Sequence, residues 1–254
     1  MKVTILGSGT SGGVPQLGCQ CTTCTSSDPR DHRLRCSALV QEADTSVLID
    51  CGPDFRQQML THGLPHIHGI VITHEHYDHV GGIDDLRPAP LFPDLPIYAE
   101  QMVCEHLMQR IPYCFTPKEK RYLGVPSITL HPLTLHEPLH IGSLTIKPFR
   151  VMHGNLPIVA LRIGNFTYIT DMKTMPEEEF PMVEGTEVLV VNALHHREHP
   201  SHQTIDEAIR FAQRVGAKQT YFIHMSHFIL PHCEEEKLLP AGINLAYDGL
   251  QFCY

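Results

Sequence analysis

The chain has 254 residues, of which 42% are hydrophobic and 19% are charged, a balance typical of globular rather than disordered proteins. Its 19 basic and 28 acidic residues give a net charge of −9, which argues against the basic stripe that binding of long nucleic acid requires. No apolar run approaches the roughly 18 residues of a membrane span, and residues 1–7 reach a glycine too early for a signal peptide. We therefore expect a cytoplasmic protein without a membrane partner, folded as one domain over residues 1–254.

The chain begins with an apolar strand over residues 3–6 and a glycine-rich loop, and three closely spaced cysteines follow. Cys19, Cys21 and Cys24 form this cysteine trio, and their spacing lets three thiolates face one tetrahedral zinc ion. The nine cysteines of the chain are an odd number without a signal peptide, which argues against a disulfide framework. We therefore predict a structural zinc site in the loop 19–24, with a fourth ligand from elsewhere.

Two paired strands over residues 36–40 and 46–50 come next, around a polar turn. Asp50 stands at the end of the second strand, directly before a helix-breaking stretch with glycine and proline. A carboxylate at a strand end can orient a metal-bound imidazole by accepting a hydrogen bond from it. The alternative is an ordinary turn aspartate, and the sequence leaves both open.

The motif His-x-His-x-Asp-His follows the apolar run 70–72, which predicts a buried strand with a loop at its end. Neutral imidazole and carboxylate suit zinc, manganese or iron. One short loop cannot wrap four donors tetrahedrally around a single ion, so we expect two adjacent ions. His74 and His76 would bind one ion, while Asp78 and His79 would bind the other.

This motif and the pair Gly81–Gly82 after it resemble the signature of the metallo-β-lactamase-fold hydrolases. The resemblance implies an α/β protein of the α+β kind, in which two packed sheets lie between helices in a four-layer αββα sandwich. It also implies a metal site along one edge of the sheets.

Two residues later in the chain repeat the order of ligands in that family. His153 follows a predicted strand, and Asp171 ends a hairpin that turns at Gly164–Asn165. The resemblance implies that His153 joins the first ion. It implies that Asp171 lies between the two ions, since a carboxylate can bridge cations with its two oxygens.

A strand over residues 187–193 leads into a histidine-rich loop, and a helix begins after Thr204, with Glu207 predicted to complete a capping box. In the resembling phosphodiesterases, a histidine that is not a ligand meets the phosphate just before this helix, and a helix N-terminus also favours anions. This implies that role for His202. The other histidines of the loop are predicted to be plain loop residues: His195, His196 and His199.

The last strong strand, residues 220–223, ends in two histidines three positions apart. His224 would complete the ligands of the second ion. His227 could reach back to the cysteine trio as the fourth zinc ligand. The trio together with this His-x-x-His pair resembles the PhnP-type phosphoribosyl cyclic phosphate phosphodiesterases, and the resemblance covers nearly the whole chain.

The resemblance implies two divalent ions, zinc or manganese, at the active site, one structural zinc, and a possible homodimer. A water shared by the two ions would have a pKa near about 7 and would attack a small cyclic or diester phosphate. Phosphoribosyl 1,2-cyclic phosphate and 2′,3′-cyclic nucleotides both fit. The predicted catalytic residues are Asp78, as a ligand of the second ion, and His202, which would stabilise the phosphoryl oxygens or protonate the leaving alkoxide.

Three other activities use the same fold. A tRNA 3′-processing endonuclease shares much of the ligand set, but the net charge, the missing basic insertion and the cysteine trio speak against it. A non-hydrolytic accessory protein of cofactor biosynthesis, similar to the PqqB type, often departs from the full ligand set, whereas here every expected position is filled. Hydrolysis of a thioester or lactam stays open, because the same nucleophile attacks carbonyls.

Overall fold

The computed structural model describes residues 1–63, 65–87, 91–120, 122 and 124–254. Within these residues, the strands form two sheets of seven strands each. The helices among them are α1 (Phe55–His62), α2 (Tyr77–Val80), α3 (Gln101–Arg110), α4 (Ile205–Val215) and α5 (His232–Glu235). None of the described helices is long and apolar enough to cross a membrane.

The first sheet combines the N-terminal half of the chain with its last strand. Its strands, in spatial order, are β14 (Gln251–Cys253), β1 (Lys2–Gly7), β2 (Ser37–Glu42), β3 (Thr45–Ile49), β4 (Gly69–Val71), β5 (Leu95–Ala99) and β6 (Ile128–Pro132). The pairs from β3 to β6 are parallel, and the others are antiparallel. Parallel strands end at the same edge, so the segments that follow β3 and β4 lie side by side.

The second sheet is built from the C-terminal half. Its strands, in spatial order, are β13 (Ile243–Leu245), β12 (Gln219–Ile223), β11 (Val188–Asn192), β10 (Phe166–Ile169), β9 (Leu156–Ile163), β8 (Leu144–His153) and β7 (Leu139–Ile141). Strands β10 to β13 run parallel, whereas β7 to β10 pair antiparallel. The carboxyl ends of β10, β11 and β12 therefore share one edge, where polar loop residues can converge.

Three apolar layers hold these elements together. The layer between the sheets includes Val3, Ile49, Ile146, Val159 and Tyr168, and the exposed fraction of each is 0%. A second layer packs α1 and α3 on the outer face of the first sheet, and a third packs α4 on the outer face of the second. The predicted four-layer αββα sandwich is confirmed.

The start of α4 is also confirmed in detail. The Thr204 hydroxyl accepts a hydrogen bond from the Glu207 amide, and the Glu207 carboxylate accepts one from the Thr204 amide at 2.8 Å. This reciprocal pair satisfies two amide groups that the helix leaves unpaired. The capping box fixes the point at which the preceding histidine-rich loop ends.

Candidate active site

The His-x-His-x-Asp-His motif lies in the loop after β4 and continues into α2, whose N-cap residue is His76. The strand before it is fully buried, so the loop starts from a rigid point. The side chains of His74 and His79 are almost completely buried, with exposed fractions of 1% and 0%. Buried imidazoles require polar partners, and these partners come from both sheets.

Asp50 lies behind the motif and holds it in place. Its Oδ2 accepts a hydrogen bond from His79 Nδ1 at 2.7 Å, and its Oδ1 accepts one from the Thr73 amide at 2.8 Å. The Thr73 hydroxyl donates to the same carboxylate. With the proton of His79 on Nδ1, the lone pair on Nε2 points toward the site. Of the two alternatives that the sequence leaves open for Asp50, these contacts favour the orienting one.

Asp171 lies at the centre of the cluster, because the donor atoms of three groups of side chains surround its carboxylate. Its Oδ1 lies 3.4 Å from His79 Nε2, and its Oδ2 lies 3.2 Å from His224 Nε2 and 3.8 Å from His74 Nε2. Asp78 Oδ2 lies 3.2 Å from His79 Nε2. One aspartate is thus shared between the histidines of the motif and those of the second sheet.

The remaining predicted ligands lie around the same carboxylate. His76 Nδ1 lies 3.1 Å from His74 Nε2. The donor atom of His153 groups with Asp171 and His202, while its ring centroid lies 5.8 Å from that of His74 and 5.1 Å from that of His76. His153 Nδ1 donates to the Ser201 carbonyl at 2.8 Å, which leaves its Nε2 available to a ligand. The structure brings all seven predicted ligands together.

The hydrogen-bonding pattern fits cations in this cluster. Within the described residues, five buried imidazole nitrogens lack a hydrogen-bond partner: His79 Nε2, His202 Nδ1, His227 Nε2 and both nitrogens of His224. An unsatisfied buried polar group costs about 1–3 kcal/mol, and both His79 Nε2 and His224 Nε2 lie beside the buried carboxylate of Asp171. A donor set of imidazole nitrogens and carboxylate oxygens with unused lone pairs is the chemistry that zinc or manganese takes.

Backbone strain is also concentrated here. Asp50, Asp171 and His224 have φ angles of 59°, 55° and 57°, in the left-handed region that few residues other than glycine adopt. Such a conformation costs about 1–3 kcal/mol per residue and persists only where the surroundings enforce it. All three residues end strands, and the turn that each makes there directs its side chain into the cluster.

The charges of the cluster balance one another. Burial raises the pKa of Asp171, but the attraction of His224 and His79 outweighs burial and holds the pKa well below its usual range. Burial lowers the pKa of His79, but Asp171 and Asp50 outweigh it and raise that pKa well above its usual value. The buried carboxylates therefore favour positive charge at this place in the site.

His202 lies directly beside these side chains, at the end of the loop before α4. Its ring stacks on that of His224 with centroids 4.7 Å apart, and its Nδ1 lies 4.0 Å from Asp171 Oδ2. Burial, followed by the charge of His224, lowers the pKa of His202 to about 3. The imidazole is therefore neutral at physiological pH.

The cysteine trio forms a second cluster with His227. Cys19 Sγ and Cys21 Sγ lie 3.2 Å and 3.5 Å from His227 Nδ1, and the donor atoms of all four residues lie within 4.8 Å of one another. Burial raises the pKa of the Cys21 thiol, but hydrogen bonds from the Cys24 amide and His227 outweigh it and lower the pKa to about 6. This set of three sulfurs and one imidazole fits a closed tetrahedral zinc site.

That His195, His196 and His199 are plain loop residues stays a prediction, although the structure gives each of them specific contacts. His195 is only 8% exposed, and its ring lies 5.9 Å from that of His199, which in turn lies 5.0 Å from that of His202. His196 Nε2 lies 2.9 Å from a carboxylate oxygen of Glu235. The ring contacts of His195 and His199 lie within the loop itself, whereas the His196–Glu235 contact joins positions 39 apart, which no local pattern in the sequence predicts.

Sequence reasoning also missed how α3 supports the motif. Glu75, within the motif, pairs with His106 Nδ1, and the Arg110 guanidinium lies 3.5 Å from the same carboxylate. The loop is therefore fixed from the side of the first sheet as well as from Asp50 behind it. No pattern in the sequence links positions 75 and 106.

Known proteins resemble both the fold and the length of this chain. A family model described as the beta-lactamase superfamily domain matches residues 45–225. A solved structure, a new diphosphatase from the PhnP family, has 40% sequence identity and a TM-score of 0.91, and the match covers 99% of this chain and 96% of that one. The superfamily match includes the seven predicted ligands around Asp171 but not the cysteine trio or His227.

Two relatives from bacteria extend the comparison. The octanoyltransferase of Porphyromonas gingivalis is 42% identical over 253 residues, which is 99% of this chain and 51% of the relative. The coenzyme PQQ synthesis protein B of Xanthomonas campestris pv. campestris is 30% identical over 172 residues, 62% of this chain and 54% of that protein. The chain thus spans about half the length of the curated relatives it matches.

Proposed function

Because the chain belongs to the β-lactamase superfamily, and within it to the metal-dependent hydrolases of the PhnP family, we propose that it is a phosphodiesterase with a two-cation active site. The observation that carries the proposal is the position of Asp171, whose carboxylate is shared by the histidines of both sheets. A shared carboxylate of this kind suits two adjacent ions better than one. Zinc and manganese both fit the donor set.

We assign the first cation to His74, His76 and His153 and the second to Asp78, His79 and His224. Asp171 would lie between the two cations. Two divalent cations bound there supply Lewis acidity, which polarises a phosphoryl oxygen and makes water acidic enough to serve as a nucleophile near neutral pH. The cysteine trio and His227 hold a separate structural zinc that stiffens the loop 19–24.

The protein's own groups then have distinct tasks. Asp50 keeps the His79 proton on Nδ1, and the Ser201 carbonyl does the same for His153, so both rings present a lone pair to the site. His202 is neutral in the free protein, and its N–H donates to an oxygen of the bound phosphoryl group. Of its two predicted roles, its pKa of about 3 favours stabilisation of the phosphoryl oxygens over donation of a proton.

The substrate we propose is a small phosphate diester. A phosphoribosyl cyclic phosphate and a 2′,3′-cyclic nucleotide fit the family resemblance, and the diphosphatase among the solved structures adds substrates with a phosphoanhydride bond. The net charge of −9 speaks against long RNA and hence against tRNA processing. A complete set of ligands speaks against a non-hydrolytic PqqB-like role. A homodimer and a cytoplasmic location stay predictions.

A second candidate is suggested by the Porphyromonas gingivalis relative, whose name describes octanoyl transfer. The same nucleophile attacks carbonyl carbon, so hydrolysis of an octanoyl thioester is chemically open to this site. About half of that relative lies outside the match, however, and the match does not assign the transfer activity to the matched half.

A parallel assay tests these proposals. The zinc-loaded and manganese-loaded proteins are assayed with 2′,3′-cyclic AMP, bis-p-nitrophenyl phosphate, a diphosphate-linked dinucleotide and an octanoyl thioester. Turnover of phosphate substrates alone supports the phosphodiesterase proposal. Turnover of the thioester alone would replace it with the second candidate.

A further inference from the structure

The histidines of the loop after β11 form a row that leads away from the metal cluster. The ring of His202 lies 4.5 Å from that of His153, the ring of His199 lies 5.0 Å from that of His202, and the ring of His195 lies 5.9 Å from that of His199. His202 serves the proposed reaction at the inner end. The outer two rings, His199 and His195, take no part in the proposed hydrolysis described above.

The hydrogen bonds of the outer rings fix which nitrogen carries the proton. His195 Nδ1 accepts from the Arg197 amide at 3.1 Å, and His199 Nδ1 accepts from the His202 amide at 3.3 Å. Burial lowers the pKa of both His195 and His199, which keeps them neutral. A neutral imidazole whose Nδ1 accepts must carry its proton on Nε2. Both rings therefore present an N–H donor on the side away from the backbone.

An arginine adds positive charge beside these donors. The Arg197 side chain is exposed, and its guanidinium lies over the Phe228 ring, 5.0 Å from the centroid. Phe228 is 53% exposed, and its ring lies 6.0 Å from that of His195. Stacking on an aromatic ring orients a guanidinium while its N–H groups stay available to an anion.

Neighbouring charged side chains form no ion pair that neutralises the charge of Arg197 among the described residues. Lys173 donates to both carboxylate oxygens of Glu207 at 2.9 Å and is thereby occupied. Glu198 follows Arg197 in the chain and is exposed, but no ion pair joins it to Arg197 among the described residues. Within the described part of the chain, Arg197 has no ion-pair partner, so its positive charge stays available next to the histidine row.

The loop is held firmly enough to act as a prebuilt site. Glu235 is 0% exposed; one of its oxygens lies 2.9 Å from His196 Nε2, and the other accepts from the Leu230 amide at 3.0 Å. This buried carboxylate ties the histidine loop to the segment that carries Phe228. In addition, the His195 carbonyl accepts from the Ile205 amide at the start of α4. Binding would therefore require little reordering of the loop.

We propose that His195, Arg197 and His199 form a second anion subsite, the outer subsite, which binds the phosphoryl group next to the one attacked. The inference rests on the proposed phosphodiesterase function and narrows it to substrates that contain a diphosphate. Two neutral N–H donors and one guanidinium match the oxygens of a phosphoryl group, and Phe228 offers a face to the group attached to it. A cyclic or simple diester has no second phosphoryl group to place there.

The reaction balances as a hydrolysis. The oxygen of water forms a bond to the phosphorus at the metal cluster, and the bond from that phosphorus to the bridging oxygen breaks. The bridging oxygen leaves with its electron pair on the second phosphoryl group, held by His195, Arg197 and His199. The products are two phosphate monoesters, and the two protons of the water pass to the products and the solvent.

The test compares matched substrates on the metal-loaded enzyme. Diadenosine diphosphate and 2′,3′-cyclic AMP are assayed with the wild type, Arg197→Gln, His199→Ala and the double variant. Loss of one hydrogen bond to a charged group corresponds to roughly a tenfold to hundredfold change. We expect the ratio of kcat/KM for the diphosphate over the cyclic substrate to fall by that factor, mainly through KM.

Arg214→Gln is the matched control, because Arg214 is also exposed and also stacks on a phenylalanine, with its guanidinium 3.8 Å from the Phe180 ring centroid. Arg214 lies on α4, outside the outer subsite. The Arg214→Gln variant should therefore show the wild-type ratio of kcat/KM for the diphosphate over the cyclic substrate. An Arg214→Gln ratio that falls as far as that of Arg197→Gln would overturn the assignment.

Equilibrium binding of ADP and AMP tests the outer subsite without requiring that the protein cleave either molecule. ADP carries the additional phosphoryl group, so the wild type should bind it roughly tenfold or more tightly than AMP, and the double variant should lose this preference. Equal preference for ADP in wild type and double variant would refute the outer subsite. If the wild type prefers ADP through these residues but cleaves neither substrate, the phosphodiesterase proposal fails and the subsite stands.

Discussion

Replacing Asp50 by asparagine tests how the protein prepares the second cation site. The carboxylate accepts from His79 Nδ1 at 2.7 Å and from the Thr73 amide at 2.8 Å. Asparagine keeps the size of the side chain and can still accept from the Thr73 amide. Its NH2 group then faces His79 Nδ1, and two donors cannot share a hydrogen bond. His79 must move its proton to Nε2, the nitrogen that should bind the cation.

The expected size of the effect follows from this tautomer change. Loss of such an orienting partner reduces metal affinity roughly 10–100-fold, which corresponds to about 1.4–2.8 kcal/mol at a tenfold change per 1.4 kcal/mol. Stability of the metal-free protein should change far less, because burial raises the pKa of Asp50 and its buried charge is itself unfavourable. The substitution should therefore lower the affinity for the second cation much more than it lowers the free energy of unfolding.

The assay is metal titration by calorimetry, accompanied by denaturant unfolding of the metal-free proteins. Asp54→Asn serves as the control, because Asp54 also accepts hydrogen bonds, but from Arg35. We expect Asp50→Asn to lower the binding affinity of one of the two cations at the active site. Asp54→Asn should leave both affinities unchanged. If Asp50→Asn binds both cations with wild-type affinity, the orienting role of Asp50 is refuted.

Three further substitutions test separate parts of the site and the fold. Cys21→Ser should remove one zinc ion per chain and lower the unfolding midpoint, while the two other cations and diester hydrolysis remain; loss of the catalytic cations would contradict the separate roles. His202→Ala should lower kcat roughly 100-fold or more with metal content unchanged, and unaltered turnover would remove its role. Gly52→Ala should destabilise the protein by about 1–3 kcal/mol, measured by denaturant unfolding, because the added Cβ would lie 2.1 Å from the Asp78 carbonyl oxygen.

The sequence predicted those parts of the site in which ligands are close in the chain or stand at strand ends. The motif from His74 to His79 is recognisable by itself, because four metal-binding side chains in six residues directly after an apolar strand are typical of a metal site. His153 and Asp171 were identifiable only through the family resemblance, since a single histidine or aspartate at a strand end is common. The fold followed from the same resemblance, and the apolar layers agree with it.

The contacts between distant segments were not predictable. The pairing of His196 with Glu235 and the stacking of Arg197 on Phe228 each join residues more than 30 positions apart. Such contacts depend on how the loops after β11 and β12 lie at the shared edge of the second sheet. A histidine-rich loop is usually exposed, and only the three-dimensional arrangement shows that His195 and His202 are buried here while His199 is partly buried.

Anomalous diffraction from crystals of the metal-loaded protein measures most directly whether two cations share Asp171. We expect two peaks about 3.5–4 Å apart on either side of the Asp171 carboxylate, and a third peak among Cys19, Cys21, Cys24 and His227. A single peak beside Asp171, at full loading and with the third site occupied, would contradict the two-cation site.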